Sequence, residues 1–94
     1  MAVVMSMEWP AITPANYEAI RKDVNWEGDV PSGAMFHVAA FTDEGMRVTD
    51  VWESAEQFNA FVASRLMPAV QAHGLPGQPK VQIHPAYAIF APGV

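Results

Sequence analysis

The sequence predicts a single α+β domain over residues 1–94, four strands and two helices around one core. Three observations lead there. Segments rich in β-formers alternate with two segments whose apolar residues recur every three or four positions. The chain is 51% hydrophobic and only 16% charged, too apolar for disorder and leaner in charge than the roughly 25% of an average globular chain. It is also short and has no cysteine, so neither a disulfide nor a thiolate zinc site can support so small a core. Self-association is the expected support.

The elements follow in order. Residues 2–9 (AVVMSMEW) form a first strand that stops at Pro10. Thr13 followed by Pro14 is a helix start, a side-chain cap and then a proline at the first helical position. Tyr17, Ile20 and Val24 give that helix, over 14–25, its apolar stripe. Residues 26–33 (WEGDVPSG) make a loop, 34–42 (AMFHVAAFT) a second strand, Asp43-Glu44-Gly45 a turn, and 46–53 (MRVTDVWE) a third strand. Ser54 with Gln57 is a capping box opening the second helix, whose stripe is Phe58, Phe61, Val62, Leu66, Ala69 and Val70. Gly74 ends it, and Pro68 predicts a kink or break around Ser64–Pro68. Residues 81–91 (VQIHPAYAIFA) close the chain as a fourth strand, with Pro85 marking an edge or a bulge. The order is β-α-β-β-α-β, the ferredoxin-like arrangement.

Two helices cover only one face of such a sheet, and a second face turned to water should alternate apolar with polar. Strand two instead has Met35, Ala39 and Phe41 on one face and Phe36, Val38 and Ala40 on the other. The free face therefore predicts a partner, a second copy packed sheet to sheet as a homodimer, which makes a dimeric α/β barrel. A net charge of −5, from ten acidic against five basic residues, argues against nucleic acid or an anionic membrane. No apolar run approaches the ~20 residues of a membrane span, and the first residues lack a signal-peptide pattern, so a cytoplasmic protein is expected.

If Thr42 and Gly45 flank a two-residue turn, the register places His37 opposite Asp50, Met35 opposite Trp52 and Phe41 opposite Met46. A one-residue change in the loop would destroy this pairing. Two polar groups then stand side by side in an apolar surface. We assign this face to the barrel interior and the Phe36–Val51 face to the helices. An aspartate beside an imidazole fixes its tautomer and favours its cation, which makes His37 a candidate general base and Asp50 its partner. Trp52, Met35 and Phe41 would wall in a flat substrate. The same pair could equally be a hydrogen-bonded interface contact with no chemistry.

The stretch 46–73, with Val51-Trp52-Glu53-Ser54 running from strand into helix and Phe58 and Phe61 following, resembles the dimeric α/β-barrel superfamily. That group includes the antibiotic-biosynthesis-monooxygenase-like proteins, haem-degrading monooxygenases and muconolactone isomerase-like enzymes. The resemblance implies a homodimer with its cavity under the helices or in the barrel. It also implies a small hydrophobic or aromatic ligand. Three departures separate the chain from the haem-degrading branch: the axial-histidine position falls near Gln71 instead of His73, the tryptophan position falls on Phe61, and the first strand has no asparagine.

Arg65 offers itself to an anionic substrate group or to a carboxylate such as Glu53 or Glu56, and Tyr87 could donate a hydrogen bond into a pocket. His73 reads as a helix-capping residue and His84 as an edge-strand residue; nothing in their spacing with His37 requires a metal. No nucleotide-binding or hydrolase motif occurs, and no cofactor is expected. The expected function is a cofactor-independent enzyme, monooxygenase- or isomerase-like, with His37 as base; that it acts on an aromatic or polyketide-like compound is what the resemblance implies. The alternatives are a haem- or hydrophobic-ligand-binding protein without catalysis, and a structural dimer.

Overall fold

The computed structural model of residues 1–94 contains β1 (Val3–Trp9), α1 (Pro14–Val24), β2 (Ala34–Thr42), β3 (Gly45–Trp52), α2 (Ala55–Phe61), α3 (Met67–His73) and β4 (Lys80–Pro85). A π-helical stretch, Val62–Leu66, joins α2 to α3. The strands pair antiparallel in the order β2-β3-β1-β4, the ferredoxin-like α+β arrangement that the element order predicts. No helix is long and apolar enough to cross a membrane.

Local chemistry accounts for the boundaries. Thr13 and Asn16 cap α1 reciprocally: the Asn16 N–H donates to Thr13 Oγ1 at 3.2 Å and the Thr13 N–H to Asn16 Oδ1 at 3.1 Å. At α2 the Gln57 N–H donates to Ser54 Oγ at 3.2 Å, but the Ser54 hydroxyl donates to Gln57 Oε1 at 3.0 Å. The capping box expected at Ser54 is therefore closed side chain to side chain. Pro68 lacks an N–H, so the Ser64 carbonyl four residues before it has no helical donor. The chain widens there, and the Met67 N–H reaches back five residues to the Val62 carbonyl.

The core lies on one face of the sheet. There β1 buries Val3, Met5, Met7 and Trp9, β3 buries Met46, Val48, Asp50 and Trp52, and Ile12 and Phe58 cover them. Met5 is only 1% exposed, and burial of a side chain of this size contributes about 1.5–3 kcal/mol. The opposite face presents Ser6, Glu8, Arg47 and Thr49 to solvent, together with Val38 at 47% exposure.

The helices thus cover the His37–Asp50 face, the reverse of the sequence assignment. The reason is in β1, whose unbroken apolar row Val3-Met5-Met7-Trp9 lies on that face, while Ser6 and Glu8 interrupt the other.

The last strand also ends earlier than expected. The β1–β4 pairing stops with Val3 opposite Pro85, and one further bond joins the Ala86 N–H to the Ala2 carbonyl at 2.9 Å. Residues 86–91 have no strand left to pair with, and Tyr87 and Phe90 stand exposed.

Candidate functional site

The β2–β3 hairpin has the two-residue turn, with Thr42 opposite Gly45 and His37 opposite Asp50. Gly45 is required there. Its φ is 119°, and a Cβ would lie 2.3 Å from the Pro10 carbonyl oxygen. At the far end a β-bulge intervenes, so that Ala34, and not Met35, faces Trp52. The extra residue turns Met35 outward to 51% exposure, although it still borders the cavity below.

Asp50 is 6% exposed, between Met5 of β1 and His37 of β2 in the paired register. Both of its oxygens are engaged. His37 Nδ1 lies 2.6 Å from Oδ1, and the Trp52 indole N–H donates to Oδ2 at 3.0 Å. Trp52 reaches it because residues two apart share a strand face. A buried carboxylate beside Nδ1 holds the proton of a neutral imidazole on that nitrogen, which leaves Nε2 as an acceptor. The Tyr17 hydroxyl of α1 sits 2.8 Å from Nε2, and in this tautomer it donates. Four side chains from three elements thereby form one continuous chain of hydrogen bonds, Tyr17 to His37 to Asp50, with Trp52 on the last carboxylate oxygen.

Burial holds the Tyr17 phenol above its ordinary value of 10.0; the carboxylates of Glu18, Glu27 and Asp50 add to this and Arg21 opposes it. The phenol is therefore a neutral donor throughout the physiological range.

The surroundings of His37 come from the loop after α1. Asn25 takes the left-handed conformation, φ 56°, and ends the helix. The chain then turns so that the Trp26 ring lies 5.2 Å from the imidazole, centre to centre. Arg65 secures this turn by donating to the Val24 carbonyl at 2.8 Å and to the Asn25 carbonyl at 3.5 Å. It also lies 4.0 Å from Asp29 and 5.6 Å from the centre of the Phe61 ring. Its donors face the end of α1, not a substrate group and not Glu53 or Glu56.

Between the sheet and the helices is a cavity of about 310 Å³, at the small end of the roughly 300–1,000 Å³ typical of ligand pockets. Nineteen of its 24 lining residues are hydrophobic, Tyr17 among them, and the other five are Asn16, Glu27, Pro31, His37 and Asp50. No lysine or arginine lines it. Glu27 at its edge is bonded to Arg21, which keeps the Glu27 carboxyl below its ordinary range.

Of the sequence candidates, His37, Asp50, Trp52 and Met35 border this cavity, and Phe41, Arg65 and Tyr87 do not. Phe41 packs edge-on to Tyr17, 6.1 Å between centres, and so supports the phenol from outside. Tyr87 is fully exposed on the tail. His73 faces Asp23 at 3.4 Å, and His84 stands opposite Val4 in the sheet. Sequence reasoning missed Asn16, Tyr17 and Trp26. Tyr17 was legible only as the first residue of a buried helical stripe, and a polar tip at such a position was the available signal.

No protein-family model matches the sequence, and no curated protein does. Solved structures do. SnoaB, a cofactor-independent oxygenase from Streptomyces nogalater, superposes with a TM-score of 0.63 at 16% identity, over 94% of this chain and 93% of that one. An antibiotic-biosynthesis-monooxygenase-like protein from Chloroflexus aurantiacus gives 0.65 at 15% identity, over 98% of both chains. The monooxygenase ActVA-Orf6 of Streptomyces coelicolor, solved with the ligand nanaomycin D, gives 0.57 at 24% identity over 96% and 91%. The chain therefore has the ferredoxin-like α+β fold of the antibiotic-biosynthesis-monooxygenase-like proteins, the group that the stretch 46–73 resembles.

Proposed function

We propose that this protein is a cofactor-independent enzyme that oxygenates or isomerises an aromatic or polyketide-like compound, with His37 as the general base. The observation that supports this is one cavity, hydrophobic except at five residues, whose polar groups include a histidine held by a buried carboxylate. Two of the solved structures with this fold bear names of the same kind of chemistry, an oxygenase and a monooxygenase.

Both reactions begin with removal of a proton from the substrate. His37 Nε2 accepts it, directly or through the Tyr17 hydroxyl. The imidazolium that forms is bonded to the Asp50 carboxylate, which offsets its charge inside an apolar wall. In isomerisation the proton is returned at another carbon. In oxygenation without a cofactor, the substrate anion itself supplies the electrons to dioxygen. A methylene then becomes a carbonyl, one oxygen atom enters the product, and the other leaves as water. The absence of a lysine or arginine from the lining suits an uncharged ring system better than an anion.

The active species in this proposal is a homodimer joined through the open sheet faces, with Val38 and its neighbours covered by the partner.

The test is turnover of a panel of hydroxylated anthrones, followed by absorbance and oxygen uptake. His37→Ala is expected to lower kcat by at least about 100-fold, the typical contribution of a positioned base, while leaving ligand binding in place. Turnover undiminished in H37A would remove His37 as base. Binding without turnover in the wild type would favour a ligand carrier.

A further inference from the structure

Asn16 belongs to none of the roles assigned so far, yet it borders the cavity one residue before Tyr17 on α1. Its side chain is not free to rotate. The amide oxygen accepts the Thr13 N–H at 3.1 Å while the Asn16 backbone N–H donates to Thr13 Oγ1. This capping box fixes which end of the amide is which, because only the oxygen can accept. The amide nitrogen, with two N–H donors, has no protein partner, and no buried side-chain nitrogen or oxygen in the protein lacks one. The nitrogen is therefore accessible. Asn16 borders a cavity that is otherwise nearly all apolar, and an accessible donor on such a residue, its orientation set by the helix start, is suited to an acceptor on the ligand.

We infer that Asn16 is a specificity-determining residue that donates a hydrogen bond from Nδ2 to a carbonyl oxygen of the ligand, while the ligand hydroxyl meets the Tyr17–His37 pair. The chemical class that fits both is an uncharged aromatic compound bearing a hydroxyl and a ketone. The inference rests on the proposed function for the location of the site. It does not rest on His37 being a base.

The three tryptophans of the chain, Trp9, Trp26 and Trp52, all line the cavity, so intrinsic fluorescence reads its occupancy. The experiment titrates the full-length protein with a hydroxytetralone whose hydroxyl and ketone lie at opposite ends of the fused rings. The matching tetrahydronaphthol, which lacks only the ketone, is the control. Asn16→Asp is the variant of choice, because a carboxylate still accepts the Thr13 N–H and suits the start of a helix, but it donates nothing.

The expected result is about a tenfold loss of affinity for the hydroxytetralone in N16D, the usual scale for one hydrogen bond, with an unchanged melting temperature and unchanged binding of the tetrahydronaphthol. Equal affinities of wild type and N16D for the hydroxytetralone would overturn the assignment. So would an equal loss for both compounds, which would reflect the added charge and not a lost donor. If neither compound quenches the wild type, the ligand cavity itself is refuted and Asn16 with it. A failure of His37 as base would show in turnover, which this binding measurement does not read.

Discussion

At the scale of single residues, Asp50 is the most constrained group in the site. It accepts from His37 Nδ1 and from the Trp52 indole at once. Asparagine has one acceptor oxygen in its amide, so with the His37 proton kept on Nδ1, Asp50→Asn sets an N–H donor against one of these two donors. An unsatisfied buried donor costs about 1–3 kcal/mol, and urea denaturation of D50N is expected to show a loss of that size. Tyr17 gives a second prediction. Its folded-state value lies above 10.0 because of burial, so the folded protein holds its phenolic proton longer than the unfolded chain does. Its contribution to stability is therefore complete below about pH 10 and is lost as pH rises through that value towards the folded one. In an ultraviolet tyrosinate titration, the component absent from Tyr17→Phe is expected to be the one with its midpoint above 10.0. The His37–Asp50 pair was legible because a hairpin count is local arithmetic. Tyr17 was not, since 20 residues separate it from His37 and only the packing of α1 on the sheet brings them together.

At the scale of elements, the hairpin turn decides whether the site exists. Gly45 combines a φ of 119° with a close approach to the Pro10 backbone, and no other residue meets both demands. Gly45→Ala is expected to cost about 1–3 kcal/mol in backbone strain alone, with the steric clash in addition. It is also expected to displace the register of β2 on β3, which would turn His37 to the opposite face. A lowered melting temperature together with loss of the Tyr17–His37 hydrogen bond in the imidazole NMR spectrum would show both effects. A variant as stable as wild type would show that the turn tolerates a side chain. The elements themselves were mostly legible. Thr13-Pro14, Gly74 and Pro68 each mark a boundary by a local steric or hydrogen-bonding rule. The tail past Pro85 was misread, because the sequence 86–91 looks like a strand and only the length of β1 shows that it has nothing to pair with.

At the scale of the whole molecule, the open sheet face carries Val38 at 47% exposure and a half-buried Phe36 and Val51 in one chain alone. If a second copy covers them, Val38→Asp is expected to convert the dimer to a monomer in sedimentation velocity without unfolding it, since the side chain touches no core. A wild type that sediments as a monomer at all concentrations would contradict the homodimer. Which face the helices cover was the main error of sequence reasoning, and its cause is physical. Both faces of β2 are apolar, so composition there does not choose. The choice was visible in β1, where one face is unbroken from Val3 to Trp9 and the other holds Ser6 and Glu8. The buried Asp50 in β3 obscured it by making the true core face look like the wetter one.

The π-helical stretch has a consequence for comparing this chain with others. Val62–Leu66 holds one residue more than a regular helix needs over the same rungs. Counting forward along the helix from Trp52, as one does when aligning positions with a relative, stays in phase only as far as Phe61. Beyond Leu66 every position is displaced by one residue, about 100° around the axis. Equivalences drawn across it for Gln71 or His73 are shifted accordingly, unless the other helix carries the same insertion. Functional residues in the second half of this helix are better matched by superposition than by spacing.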